Sequence, residues 1–199
     1  MIDRRKAMAL LLQELRGEPI ISTLGTSAFD LSLTQDRPEN FYAWGSMGLA
    51  TSIGLGVALA RPERRVCVLE GDGALLMNLG ALATIACEAP PNLGIIVWDN
   101  GCHALTGGQP TATAKGTSLR AIAQGAGISR VEEATSLEEF ARACRRLLLG
   151  RGPWVLIART LPGTAPGRPV ADPVTIKERF MEALGLKEKD RQGDRDEVS

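Results

Sequence analysis

The sequence predicts an α/β protein: a doubly wound, mainly parallel sheet with helices on both faces. Two observations carry this. Short apolar runs rich in β-branched residues, Val66–Leu69, Leu93–Trp98 and Pro153–Ala158, are bounded by turn residues and read as buried strands. The segments between them are long enough for helices and have helical composition, so strands alternate with helices along the chain, the pattern of a parallel sheet.

The elements follow in order. Asp3 caps a helix running to about Arg16, where Gly17 stops it, and Leu10, Leu11 and Leu15 form its apolar stripe. Pro19–Thr23 reads as the first strand. Gly25-Thr26-Ser27 is a turn into a short helix bearing Phe29, Leu31 and Leu33, and 36–40 is a polar loop. Leu49–Ala60 is apolar almost throughout and predicts a helix buried on all sides; Gly54 and Gly56 each cost it about 1 kcal/mol in propensity, a cost that a close neighbour or ligand would justify. The central strand follows, then one helix over Ala74–Ala89 and the strand ending at Trp98. Beyond Thr111 the chain is irregular to Gly116. Ser118–Gly125 is helical, Ile128–Val131 is a strand, and Thr135 or Ser136 caps a helix whose Glu138 and Glu139 suit its dipole. A last helix spans Val174–Leu184. Residues 1–185 make one domain, and the charged stretch 186–199 reads as a disordered tail.

Composition bounds the function. With 23 basic and 23 acidic residues the chain has no net charge, which argues against nucleic acid or an anionic lipid surface as partner. Aromatics are 4%, too few for a base-stacking platform. No apolar run reaches membrane-spanning length, and the N-terminus leads into an amphipathic helix without a cleavage-site pattern. Cys67, Cys87, Cys102 and Cys144 form no CxxC pair; Cys67 and Cys87 sit in apolar runs and read as core. The expectation is a reduced, cytoplasmic protein.

The chemistry lies between Val66 and Thr111. Gly71-Asp72-Gly73 joins a strand to a helix. Its glycines let the backbone turn sharply and a bulky anion come close, and N–H groups at a helix start attract phosphate. Asp72 repels phosphate unless a cation lies between them. The natural ion is Mg²⁺, bound through a carboxylate plus phosphate oxygens. Asn100, ending the neighbouring strand, offers a neutral oxygen, and the loop Gly101-Cys102 a backbone carbonyl. Glu70 and Glu88 read as solvated or loop-capping.

The spacing of Gly71-Asp72-Gly73 and Asn100, with 26 residues between Gly73 and Asn100, resembles the GDG…N motif of thiamine-diphosphate enzymes. Gly45-Ser46-Met47-Gly48 upstream, and Asn100-Gly101-Cys102-His103 running on to Gly107-Gly108-Gln109-Pro110-Thr111, extend the likeness over residues 18–160. The chain resembles the cofactor-binding half of the thiamine-diphosphate-dependent 2-oxoacid decarboxylases, most of all sulfopyruvate decarboxylase β subunits and the C-terminal domain of phosphonopyruvate decarboxylases.

That resemblance implies thiamine diphosphate and Mg²⁺ as cofactors, with Asp72, Asn100 and the Cys102 carbonyl on the metal. Gly71, Gly73 and Ala74 cradle the diphosphate, Ser46 adds a hydroxyl, and the Gly45 carbonyl takes the exocyclic amine. Met47 wedges between the two cofactor rings; its plain alternative is a gap-filling core residue. His103, the one histidine, binds substrate carboxylate or moves protons beside the cofactor, or is simply structural. Gln109 and Thr111 line the same pocket. Cys102 as a thiol nucleophile is disfavoured, since its one candidate base is its sequence neighbour.

Thiamine enzymes also need a glutamate from a separate pyrimidine-binding domain, and this length has no room for one. The resemblance therefore implies a hetero-oligomer with a pyrimidine-binding, alpha-type subunit, decarboxylating an anionic 2-oxoacid such as sulfopyruvate or phosphonopyruvate. The alternatives are the β-type subunit of an oxoacid:ferredoxin oxidoreductase, against which the scattered cysteines argue, or of a dehydrogenase, and a cofactor-binding module without turnover.

Overall fold

The computed structural model describes residues 1–163, 167, 169 and 172–186; the expected tail beyond 186 lies outside them. Helix α1 (Arg4–Glu14) starts where the Asp3 carboxylate accepts the Arg5 and Lys6 N–H groups. Strand β1 (Ile20–Ser22), helix α2 (Thr26–Gln35) and strand β2 (Asn40–Tyr42) follow. Then come α3 (Ala50–Ala60), β3 (Val66–Gly71), α4 (Asp72–Leu76), α5 (Gly80–Glu88) and β4 (Leu93–Asp99). A small antiparallel hairpin, β5 (Cys102–His103) and β6 (Gln109–Pro110), leads into a 3-10 turn at Ala112–Lys115. Helix α6 (Leu119–Gly125), β7 (Arg130–Ala134), α7 (Leu137–Leu149), β8 (Trp154–Arg159) and α8 (Pro173–Ala183) complete the domain. Ser136 caps α7 by accepting the Glu139 N–H, and Glu139 reaches back to the Thr135 N–H, a reciprocal cap at the expected place.

Six parallel strands form one sheet in the order β2-β1-β3-β4-β8-β7. Side chains alternate across it, as strand geometry demands. Cys67, Leu69, Ile96, Trp98 and Leu156 pack under α1, α2 and α7. Val66, Val68, Ile95, Val97 and Val155 pack under α3, α5, α6 and α8. Both faces are covered, which is why β3, β4 and β8 read as unbroken apolar runs.

Three expectations are corrected. Residues 40–42, taken into a loop and its sequel, form edge strand β2, anchored where Phe41 meets Phe180 at 5.3 Å between ring centroids. The helix expected over 74–89 is broken: α4 ends at Leu76 and α5 begins at Gly80. The Asn78 amide between them donates to the Gly48 carbonyl (2.9 Å) and approaches Ser52 Oγ (3.2 Å), a polar tie that a continuous amphipathic pattern hides. Helix α3 is not buried all round: Ser52, Gly56 and Leu59 face outward. Its other side sits so close on β3 that a Cβ on Gly54 would lie 2.1 Å from Val68 Cγ2, while Gly56 has open space.

The sheet order places the site. From β1 the chain steps outward to β2 and then returns to the other side of β1 as β3. In an open α/β sheet, the strand ends beside such a reversal leave a crevice. Here those ends are Thr23–Ser27 after β1 and Gly71–Ala74 after β3.

Candidate functional site

A cleft of about 150 Å³ opens at these strand ends. Its walls include Thr23, Leu24, Gly25, Thr26 and Ser27 after β1, Gly71, Asp72, Gly73 and Ala74 after β3, and Trp98, Asn100, Cys102 and His103 at and beyond the end of β4. Met47 and Leu105 also line it, as does Arg4 from the start of α1. The expected residues Met47, Gly71, Asp72, Gly73, Ala74, Asn100, Cys102 and His103 thus come together around one space.

Gly45 and Ser46 do not line the cleft. Gly45 is exposed at φ 67°, and the Ser46 hydroxyl donates to the Trp44 carbonyl (3.1 Å). The loop they share with Met47 is fastened at Gly48 (φ 80°), where a Cβ would meet the Ala74 carbonyl at 2.8 Å. Gln109 is exposed and accepts from the Thr106 hydroxyl (3.1 Å). Thr111 is buried behind the cleft wall rather than lining it.

Asp72 is the centre of the arrangement, 2% exposed. One of its oxygens, Oδ2, accepts both the Thr111 hydroxyl (2.6 Å) and the Thr113 hydroxyl (3.0 Å). Among the described residues no arginine, lysine or histidine forms an ion pair with it. Asp99, at the neighbouring strand end, is treated differently. Its Oδ1 accepts from Thr113 (2.8 Å) and its Oδ2 from Arg159 (2.5 Å), whose Nε also bonds Glu133 (2.9 Å). Burial pushes the Asp99 carboxyl up, the Asp72 charge adds to this, and Thr113 and Arg159 oppose it.

Asn100 turns its Oδ1 onto the Cys102 N–H (3.0 Å), closing the loop after β4. The hairpin is pinned on either side of the Cys102 carbonyl by the Thr111 N–H to the Gly101 carbonyl (2.9 Å) and the Gly108 N–H to the His103 carbonyl (3.1 Å). Burial raises the Cys102 thiol, and the nearby Asp72 charge raises it further, so the side chain is a poor thiolate at neutral pH.

The cleft fits a metal-bridged diphosphate. Among the described residues no three His, Cys, Asp or Glu side chains gather as a metal site. The donors present are one carboxylate, an amide oxygen and a backbone carbonyl, a hard oxygen set that suits Mg²⁺ when an anionic ligand completes it. Gly73 is required sterically: a Cβ there would lie 2.5 Å from His103 Cε1 and 3.0 Å from Thr111 Cγ2. Helix α4 is only five residues long, so its contribution is the N–H donors of its first turn rather than a macrodipole.

Residues 25–158 match the family described as "Thiamine pyrophosphate enzyme, C-terminal TPP binding domain". The chain belongs to this family. Sulfopyruvate decarboxylase subunit beta of Methanocaldococcus jannaschii is 43% identical over 84% of this chain and 88% of its own length. The corresponding subunit of Methanothermobacter thermautotrophicus is 40% identical over 92% of this chain and 96% of its own. Phosphonopyruvate decarboxylase of Streptomyces viridochromogenes is 41% identical over 89% of this chain but 45% of its own length, so the chain spans under half of that relative. Among solved structures, the thiamine diphosphate-dependent 4-hydroxybenzoylformate decarboxylase of Rhodococcus jostii superposes with a TM-score of 0.67 at 20% identity, over 81% of this chain and 33% of that one. That likeness speaks to the fold of a thiamine-diphosphate-binding domain.

Several pocket residues escaped the sequence reading. Thr23–Ser27 line the cleft because β1 neighbours β3, an adjacency that composition does not encode. Arg4, one of the basic residues opening α1, carries no local signal of a role here, yet it is buried, bonds Asp30 through Nε (2.7 Å) and walls the site. Glu70, expected to be solvated or loop-capping, does hold the Gly71 N–H (3.2 Å) but is fully buried and also takes the Thr51 hydroxyl (3.1 Å); burial raises its carboxyl. Glu88 is exposed as expected, whereas Cys87, expected in the core, is exposed too. It lies on the outer side of α5, where an apolar run continues past the buried stripe of Ala81, Leu82 and Ile85.

Proposed function

We propose that this chain is the cofactor-binding subunit of a thiamine-diphosphate- and Mg²⁺-dependent decarboxylase acting on an anionic 2-oxoacid such as sulfopyruvate or phosphonopyruvate. The observation that carries the reading is a buried carboxylate, Asp72, with no cation among the described residues, set at a helix start that offers N–H groups to an anion. A carboxylate and a diphosphate are compatible there only across a divalent ion. The names of the relatives supply the reaction class; the oxidoreductase, dehydrogenase and non-catalytic alternatives draw no support from them.

The roles follow from chemistry. Asp72, the Asn100 amide oxygen and the Cys102 carbonyl hold the ion. Gly71, Gly73 and Ala74 would contact the diphosphate, whereas Gly45 and Ser46 lie outside the cleft and take no cofactor contact. Bound there, thiamine diphosphate supplies an electron sink for loss of CO₂. Met47, half-buried on the cleft wall, would pack against the rings of the bound cofactor and orient them for reaction. His103, against Gly73, steers the substrate carboxylate or carries a proton.

The catalytic glutamate comes from a second, pyrimidine-binding polypeptide, giving a hetero-oligomer with the cofactor at its interface. The rim supports this: Trp44, Leu49, Met77 and Leu105 are large apolar side chains exposed around the loops that frame the cleft, as an interface core requires. A cytoplasmic location agrees with three-carbon metabolite chemistry and with the absence, among the described residues, of any helix long and apolar enough to cross a membrane.

The test is CO₂ release from sulfopyruvate and phosphonopyruvate, with thiamine diphosphate and Mg²⁺, by the chain alone and with a co-expressed pyrimidine-domain chain. Activity is expected only in the pair. Efficient turnover by the chain alone would overturn the split site. A Met47→Ala variant in the pair is expected to lose turnover at saturating cofactor while binding the cofactor nearly as well; unchanged turnover would return Met47 to a packing role.

A further inference from the structure

Two threonines outside the Gly-Asp-Gly and Asn motif surround Asp72. Thr111 and Thr113 flank the start of the 3-10 turn that follows the hairpin, and both are buried, at 3% and 7% exposure. Their hydroxyls make four close contacts: Thr111 to Asp72 Oδ2 at 2.6 Å, Thr113 to the same oxygen at 3.0 Å, Thr113 to Asp99 Oδ1 at 2.8 Å, and Thr111 to Thr113 at 2.9 Å. Two hydroxyls carry two protons. Thr111, nearest to Asp72, commits its proton there. The Thr113 proton is shared by two carboxylates.

We propose that Thr111 and Thr113 are positioning residues for the metal ligands. Their hydroxyls turn Oδ2 of Asp72 inward, leaving the other oxygen for the ion, and Thr113, by bonding Asp99 as well, fixes the spacing between Asp72 and Asn100. The inference rests on the cofactor reading above. Its geometry is specific: Asp72 follows β3, Asn100 follows Asp99 at the end of β4, and a single buried hydroxyl spans the two strand ends. Arg159 pulls the Asp99 end from the far side at 2.5 Å, so Thr113 is held between a fixed acid and the acid that must face the ion. Such a clamp matters most for Mg²⁺, which demands near-ideal octahedral geometry, and least for Ca²⁺, which tolerates irregular ligand placement.

The experiment titrates Mg²⁺ and, separately, Ca²⁺ with thiamine diphosphate into the chain in complex with its co-expressed pyrimidine-domain partner, and reads cofactor binding by calorimetry or tryptophan emission, Trp98 being in the cleft wall. Thr113→Val keeps the shape and removes the hydroxyl. The Mg²⁺ concentration for half-saturation is expected to rise by about 10–100-fold, as for loss of a group that orients a metal ligand. The Ca²⁺ requirement is expected to rise by about threefold or less, because its coordination is more forgiving. Thr113→Ser should restore both. An equal shift for the two ions, no shift, or failure of serine to rescue would overturn the inference. If Thr113→Val does not fold, Thr111→Val and Thr111→Ser decide it by the Mg²⁺ shift and its rescue. A wild type that binds thiamine diphosphate equally well in Mg²⁺ and in chelator would instead sink the cofactor reading itself, and this inference with it.

Discussion

The ends of β3 and β4 are neighbours in one sheet, and each delivers a buried aspartate, yet the two are neutralised differently. Asp99 receives a built-in cation, Arg159. Asp72 receives two neutral hydroxyls and, among the described residues, no cation. Two other acids behave like Asp99: buried Asp30 is paired with Arg4, and the partly exposed Asp36 with Arg179. Charged groups out of water are costly unless paired. Where the fold completes the pair, the carboxylate is structural. Glu70 is also buried without a cation among the described residues, but it does not line the cleft, and burial raises its carboxyl. Asp72 does line the cleft, so on the proposed reading its missing positive charge arrives with a ligand.

The largest effect should come from breaking the incomplete pair. Asp72→Ala is expected to weaken Mg²⁺-dependent thiamine diphosphate binding by more than about 100-fold, beyond the range of a merely supporting residue, with the apo protein still folded. Calorimetric titration of both proteins decides it, and equal affinities would remove Asp72 from the metal. Breaking a completed pair should do the opposite and strike the fold. Arg4→Leu leaves buried Asp30 with only the longer Arg5 contact at 3.8 Å and should cost up to about 3–5 kcal/mol in urea unfolding. A loss under about 1 kcal/mol would mean that Asp30 finds another way to be neutral.

Arg159→Leu sharpens the comparison from the other side, because it makes Asp99 resemble Asp72. Arg159 is a third exposed, so a smaller destabilisation of about 1–3 kcal/mol is expected. The informative readout is Mg²⁺: divalent ions should now stabilise the apo variant more than the wild type, and identical Mg²⁺ responses would contradict this. The smallest effect belongs to Arg179→Leu, about 1 kcal/mol or less at neutral pH, since this pair is partly exposed. Burial by itself raises the Asp36 carboxyl, but the Arg179 and Tyr42 bonds outweigh it and hold it below its ordinary 3.8. A depressed acid contributes stability above its unfolded value and loses it as pH falls through the folded one. The gap between wild type and variant should therefore close in strong acid; a gap that persists there would assign Arg179 a packing role, for example through its cation–π contact with Tyr42 at 5.7 Å.

The motif residues of the cleft were legible in the sequence because strand ends are written locally: apolar runs stop at Gly71-Asp72-Gly73 and at Asp99-Asn100. What was not legible depends on adjacency. Thr23–Ser27 join the cleft only because β1 lies beside β3. Thr113 matters only because the hairpin folds it back onto two acids that precede it in sequence. Arg4 walls the cleft because the chain start is brought there, with Ile2 pairing Thr160 and Arg4 itself bonding Asp30. Strand β2 was missed because three residues at a sheet edge give too short a pattern to register. The break between α4 and α5 was missed because its cause is an amide, Asn78, whose partner Gly48 belongs to a distant loop.

That pairing of Ile2 with Thr160 bears on the order of assembly. The Ile2 N–H donates to the Arg159 carbonyl (2.8 Å) and the Leu161 N–H to the Ile2 carbonyl (2.9 Å), so the first residues of the chain are stitched beyond the last strand. Closing so long a loop is entropically costly and, in a topology of non-local contacts, slow. Arg4 reaches its position in the cleft through this stitch, so its wall is expected to be among the last parts of the molecule to form. During synthesis the Gly-Asp-Gly turn can exist before any competent pocket does, and the cofactor would be captured only by a finished domain. Pulse-labelled hydrogen exchange during refolding would reveal this as protection of the Ile2 amide that lags behind the amides of β3 and β4; simultaneous protection would show instead that the two ends of the chain meet early.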